Sequence, residues 1–302
     1  MKSHLSWRDA ALALAIVFVW GTNFVVIRLG LNALPPLFFA TLRFVFVFAP
    51  AALFLKRPQV AWSNLALYGI CIGMVQFGLL FIAMNGHITP GLASLVIQMQ
   101  VFFTIGLAML RTGERIKPHQ LAAFVLAIAG MGVIAAHNGQ GTSLLGVALV
   151  LTAAMGWALG NQAGREAGQE QIKLNMLAYV VWAALFAAPP LLLLSLLLEG
   201  PAAIANGIRH ATLTTWAAVA YQSAGNTMFG YACWAWLLSR YPAATVAPMS
   251  LLVPIVGFAA SATILGEPLP AWKIGATLLI MAGLAINLLW RPRKAVLQGE
   301  AS

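Results

Sequence analysis

Charge is what this chain has least of. Of its 302 residues, 8% are Asp, Glu, Lys or Arg, against about 25% in an average soluble domain. Acid is scarcer than base, with seven Asp/Glu beside seventeen Lys/Arg. A soluble core needs a charged shell, and this chain cannot build one. That excludes a secreted enzyme, a cytosolic enzyme and a disordered tail. The two cysteines, Cys71 and Cys233, lie far apart inside apolar runs without metal spacing, and read as small packing residues. There is no Walker loop, no HExxH metal motif, no Asp-rich prenyl-transfer motif and no Ser-His protease pairing. The chain is therefore expected to be neither an enzyme nor itself an ATP-driven pump, and to need no cofactor. What it has in excess is apolar residues, 61% of the total, the composition of a polytopic helical membrane protein.

The net charge of +10 raises nucleic-acid binding, but the bases are scattered in ones, twos and threes with no basic stripe. They read as a topology signal, so no nucleic-acid partner is expected. Ten apolar runs are long enough to span a bilayer. Their limits are 10–29, 37–55, 64–85, 91–110, 119–136, 144–163, 175–198, 213–237, 243–264 and 271–290. The first follows Lys2 and Arg8 as a signal peptide would, yet it carries Trp20 and Asn23 and lacks a clear cleavage site. It is expected to be a retained span. With the N-terminus cytoplasmic, thirteen of the seventeen Lys/Arg fall on inner segments, against Arg28, Arg209 and Lys273 outside. Arg43 lies within a span. This predicts that both termini are cytoplasmic.

The sequence also repeats. Gly113-Glu114 after the fourth run is matched by Gly266-Glu267 after the ninth, 153 residues on. At the same offset Leu126, Ala129 and Gly130 meet Leu279, Ala282 and Gly283. The expected fold is all-α and integral to the membrane: ten transmembrane helices as two five-helix repeats, 1–138 and 139–302. Five is odd, so the copies are inserted in opposite senses, an arrangement common in secondary transporters.

The chain resembles the drug/metabolite transporter superfamily, specifically its EamA-type ten-helix exporters of the O-acetylserine/cysteine exporter and YddG kind. The resemblance is carried by Trp20-Gly21-Thr22-Asn23-Phe24, Leu42-Arg43-Phe44, Gly91-Leu92-Ala93-Ser94-Leu95, Gly113-Glu114-Arg115 and Val246-Ala247-Pro248-Met249-Ser250-Leu251-Leu252-Val253-Pro254. It implies export of amino acids or related small metabolites across a bacterial inner membrane by alternating access. Charge and periodicity do not show that. The alternatives are a carrier of sugars or drugs, or a membrane enzyme or assembly factor. The expected partners are the bilayer and a small-molecule substrate; monomer and homodimer remain open.

Polar residues inside the runs are the candidates for a solute site, because an unsatisfied amide in hydrocarbon costs several kcal/mol. Trp20 and Asn23 share a face of the first span. Gln76 lies mid-way along the third. Gln98 is assigned to the cavity and Gln100, about 200° away on an α-helix, to a neighbouring helix. Trp157 and Asn161 form a stripe beside Gly156, Gly160 and Gly164, which suit close helix packing. Trp182 is a candidate aromatic wall. Gln222 and Asn226 form an i,i+4 pair with Tyr231 on an adjoining face. For each amide the alternative is an interhelical hydrogen bond. Arg43 is read as a bidentate carboxylate ligand, or as snorkelling to the outer interface or bonding backbone carbonyls. Pro248 and Pro254 are candidate hinges in a half whose partner positions, Leu95 and Val101, are not prolines. Glu114 and Glu267 are candidates for loop caps or gates.

Overall fold

The computed structural model describes residues 6–112, 116–139, 141–171, 174–241 and 243–290. Among these the chain runs through α1 (Trp7–Gly30), α2 (Pro36–Ala51), α3 (Trp62–Met84), α4 (Pro90–Arg111), α5 (Pro118–Ala136), α6 (Leu144–Glu170), α7 (Met176–Glu199), a short α8 (Pro201–His210), α9 (213–240), α10 (Ala247–Leu265) and α11 (Ala271–Leu289). One isolated antiparallel bridge joins Ile88 to Thr142. Eight of the helices are long and apolar enough to cross a membrane. The other three are α2, which is apolar but 16 residues long, the short α8, and α9, whose middle is polar.

Local chemistry sets the helix starts. Pro36, Pro90, Pro118 and Pro201 each sit in the first helical turn, where a missing N–H costs nothing. Ser6, Ser143, Asn175 and Thr212 each accept a backbone N–H at an N-terminus.

Four of the helices are interrupted at matched places. α3 widens into a π-helix over Gly69–Gly78 and α9 over Tyr221–Phe229. Shifted by 153 residues, the first segment overlaps the second. α4 tightens to 3-10 geometry at Ile97–Met99 and α10 at Ala247–Leu251, again overlapping at that shift. Pro248 and Pro254 thus mark only one of two equivalent breaks. The halves are alike in backbone irregularity, contrary to the asymmetry read from the prolines. In α4 the geometry tightens with no proline inside the break.

The packing is matched as well. α1 packs on α9 and α10, while α6 packs on α3 and α4. α2 pairs with α7, and α5 with α11. Gly130 and Gly283, 153 residues apart, sit in the α5–α11 seam. A Cβ on Gly283 would fall 2.5 Å from Ala123 O, and one on Gly130 would fall 2.6 Å from Ile280 Cγ1. Gly156 and Gly160 press α6 onto the π segment of α3, where added Cβ atoms would lie 2.8 Å from Cys71 O and 2.5 Å from Ile72. These glycines let backbones approach, as small residues do between membrane helices.

Candidate functional site

The irregular segments surround one enclosed space. Trp20, Asn23 and Phe24 line it from α1, Gln76, Phe77 and Leu80 from α3, and Ile97, Gln98 and Gln100 from α4. Trp157 enters from α6, Asn226 and Tyr231 from α9, and Ser250 and Val253 from α10. Two of its pairs, Ile97 with Ser250 and Gln100 with Val253, are 153 residues apart. The centre of a water-sized sphere can move through about 70 Å³ of it, room for a few waters or a small polar group. The lining has no acidic or basic side chain. Its polar groups are amides, a phenol and a serine, set among aromatic rings.

The breaks in α4 and α10 explain why both Gln98 and Gln100 line the space. Assigning Gln100 elsewhere assumed a regular α-helix. A 3-10 turn advances about 120° per residue, which brings positions two apart closer together around the axis. Gln98 Nε2 donates to Ser250 O across the cavity wall at 3.4 Å, on the irregular stretch of α10.

Arg43 is placed differently from the reading as an outer-end cation. It lies half-way along α2, has 0% exposure and does not snorkel. Its guanidinium sits behind the cavity wall. Nη1 donates to Gln222 Oε1 at 2.6 Å, and Gln222 Nε2 donates to Asn23 Oδ1 at 2.6 Å. Asn226, with its amide oriented so that oxygen meets donors, accepts from Arg43 Nη2 at 2.9 Å and Nη1 at 3.1 Å. Phe77 covers the guanidinium face, its ring centre 3.5 Å from Cζ. Ser223 Oγ lies 3.0 Å from Arg43 O. The π segment of α9 supplies this cluster. Its widened turn leaves Gln222 O to Thr227 Oγ1, which donates at 2.9 Å.

The candidates thus divide into three groups. Trp20, Asn23, Gln76, Gln98, Trp157, Asn226 and Tyr231 line the cavity. Arg43 and Gln222 form its backing. Asn161 and Trp182 are outside it. Trp182 Nε1 donates to Leu55 O at 2.9 Å, and its ring meets Phe48 and Trp62 edge-on. Four helix turns separate Trp182 from the level of the cavity's aromatics, a depth that a run of apolar residues does not reveal. Phe77 and Ser250 were not singled out from sequence. Phe77 adjoins Gln76, and Ser250 lies between the two prolines. Gln76 Oε1 and Arg43 Nε are buried without hydrogen-bond partners.

Glu267 lies away from the cavity. Its carboxylate accepts from Gly91 N at 3.0 Å, at the start of α4, and from Ser261 Oγ. Lys273 Nζ lies 2.8 Å from its other oxygen. Burial alone would raise this carboxyl, but hydrogen bonds from Lys273, Ser261 and Gly91 N–H outweigh it and hold it below the usual carboxylate range. Glu199 plays a similar part at α2, accepting from Leu37 N at 2.6 Å and Phe38 N at 3.0 Å. Each acid caps the N-terminus of a distant helix, favourable for both charge and hydrogen bonding. Glu114 lies outside the described residues.

The model of the EamA-like transporter family matches this chain twice, over residues 8–136 and 144–289. A protein of Salmonella typhimurium named "Probable amino-acid metabolite efflux pump" is 44% identical over 94% of this chain and 96% of its own. One of the same name from Escherichia coli is 42% identical over 98% and 100%. A "Probable terminal-alkyne amino-acid exporter" of Streptantibioticus cattleyicolor is 28% identical over 96% and 97%. A solved crystal structure shares the fold at TM-score 0.63, with 19% identity over 94% of this chain and 99% of that one.

Proposed function

The chain belongs to the EamA-like transporter family, and on that premise we propose that it exports amino acids and related small metabolites by alternating access. It is a multi-pass protein of the bacterial inner membrane. In our reading α2 and α9 cross as well as the eight longer apolar helices, giving ten spans with both termini in the cytoplasm. The repeats are 1–138 and 139–302, inserted in opposite senses. The two-fold family match, the shared offset of the helix breaks and the matched packing support that reading.

One observation carries the functional reading. The enclosed cavity lies where interrupted helices of both halves meet, and it offers amides and aromatic rings but no acid. Discontinuous helices at the repeat interface are where secondary transporters hold solutes, because freed backbone groups and a mobile backbone coincide there. An aromatic wall suits an apolar side chain, and amides suit both ends of a zwitterion. Lipophilic cations are poorly served without a carboxylate. In this reading Trp20, Asn23, Gln76, Gln98, Trp157, Asn226 and Tyr231 meet the solute. Glu267 holds the outer gate, and the broken stretch around Pro248 and Pro254 flexes.

Counterflow in proteoliposomes tests this across twenty amino acids, a set of sugars and tetraphenylphosphonium. Saturable counterflow of amino acids is expected. Counterflow confined to sugars or the lipophilic cation overturns the assignment.

A further inference from the structure

Arg43 is a full charge in the protein interior with no acidic partner. The ion pairs among the described residues are Arg111 with Glu166 and Lys273 with Glu267; neither involves Arg43. An uncompensated buried cation is costly. The guanidinium is instead surrounded by carboxamides, and their orientation follows from its charge. Gln222 Oε1 and Asn226 Oδ1 both turn to the guanidinium. Gln222 then has only its Nε2 to offer, which it gives to Asn23 Oδ1. All three carboxamide oxygens are consumed along a chain that begins at Arg43.

Only donors remain at the cavity end of that chain. Asn23 and Asn226 both line the cavity, and each has its oxygen committed away from it. What each retains is an Nδ2 amide group. Phe77, also in the lining, covers the guanidinium at 3.5 Å, so the charge acts through its neighbours and through space. A carboxylate at this wall would accept the two amide donors and lie in the field of the uncompensated cation. An anion there offsets a charge that the protein leaves unpaired.

We propose that Arg43 is a positioning residue that never touches the solute. Through Gln222 and Asn226 it presets the amide donors of Asn23 and Asn226, making this wall the carboxylate-binding end of the cavity. The inference deepens the exporter reading and rests on it only for the choice of probe.

The test uses purified protein in proteoliposomes and the L-amino acid that gives the fastest counterflow in the panel above. Its carboxamide, methyl ester and decarboxylated amine are the competitors. The free acid is expected to compete about tenfold to a hundredfold better than the neutral analogues, the worth of one or two charge-assisted hydrogen bonds. Arg43→Gln is expected to raise KM about tenfold or more with a smaller change in maximal rate. It should also collapse the preference for acid over amide, and Arg43→Lys should restore part of it. A merely structural role for Arg43 would lower the amount of active protein without moving that preference. Asn226→Asp covers the case in which Arg43→Gln does not fold. It places a carboxylate beside Arg43, satisfies the buried cation, and should reject the free acid while still accepting the amide. Equal competition by acid and amide in the wild type, with amino-acid counterflow intact, overturns this inference and leaves the exporter reading standing. So does an unchanged preference in Arg43→Gln and Asn226→Asp. Counterflow confined to solutes without a carboxylate overturns both.

Discussion

Glu267 is held by Lys273 Nζ at 2.8 Å, by the Gly91 N–H at 3.0 Å and by the Ser261 hydroxyl. Removing one partner of such a buried pair leaves a charge without compensation, which costs about 3–5 kcal/mol. Glu267→Gln is therefore expected to lower the Tm of the detergent-solubilised protein by several degrees, and Lys273→Met likewise. The double variant should recover part of the loss, as a thermal unfolding series would show. The pH dependence has a definite sign. A carboxyl depressed in the folded state stabilises above its unfolded value, about 4.3, and that contribution is lost as pH falls through the folded value. Tm should drop on acidification below about pH 4, and Glu267→Gln should flatten that drop. A Tm insensitive to both changes would remove Glu267 as a fastener of α4. Arg43 contrasts with this pair. Its charge and its place within an apolar run are visible in the sequence, but its environment is not. Asn23 comes from α1 and Gln222 and Asn226 from α9, and no spacing rule connects residues about 200 positions apart.

At the scale of elements, the breaks in α4 and α10 occupy equivalent positions, though only one contains prolines. Sequence reading follows proline because it removes an N–H and clashes with the preceding turn. The Ile97–Met99 turn has no such marker. It forms where packing around the cavity favours a tighter turn, a tertiary override of local propensity. Pro248→Ala is accordingly expected to keep wild-type fold and at least about a third of the counterflow rate. A complete loss of transport in folded protein would show that the proline itself is needed. The π segments in α3 and α9 were equally unmarked, and π-bulges gather at functional sites because they re-aim side chains. The glycines are more legible. Gly130 and Gly283 stand out at the repeat offset, and both fill the α5–α11 seam. Gly283→Leu should cost several kcal/mol, as overpacking against Ala123 O forces the helices apart. Gly275→Ala, with open space at its Cβ, should be near neutral. Monodispersity by size-exclusion chromatography separates the two.

For the whole molecule, the distribution of bases makes the sharpest prediction. Thirteen of seventeen Lys/Arg fall on segments we place in the cytoplasm. Green fluorescent protein fused to the C-terminus should fluoresce, while alkaline phosphatase at the same point should be inactive. The reverse pattern would overturn the orientation and the ten-span count together. Pairing of α2 with α7 and of α5 with α11, each with its counterpart at the repeat offset, is the packing expected of two similar units related by an axis between them. Rocking one unit against the other would pivot on these seams and open the cavity alternately.

The sequence alone determined the solvent this protein lives in, because a chain with 8% charged residues has no other way to satisfy its surface than lipid. It also determined most helix limits, through apolar run length and proline or hydroxyl starts. The repeat showed in it too, through short-range motifs that survive at a fixed offset. Tertiary structure decided what those signals cannot encode. Of the amides, it placed Asn23, Gln76, Gln98, Gln100 and Asn226 at the cavity and Asn161 outside it. It buried Arg43 behind that wall, because burial and hydrogen-bond direction depend on three helices meeting at once. A polar residue in a membrane helix announces that it needs a partner; only the packed fold says which one it has.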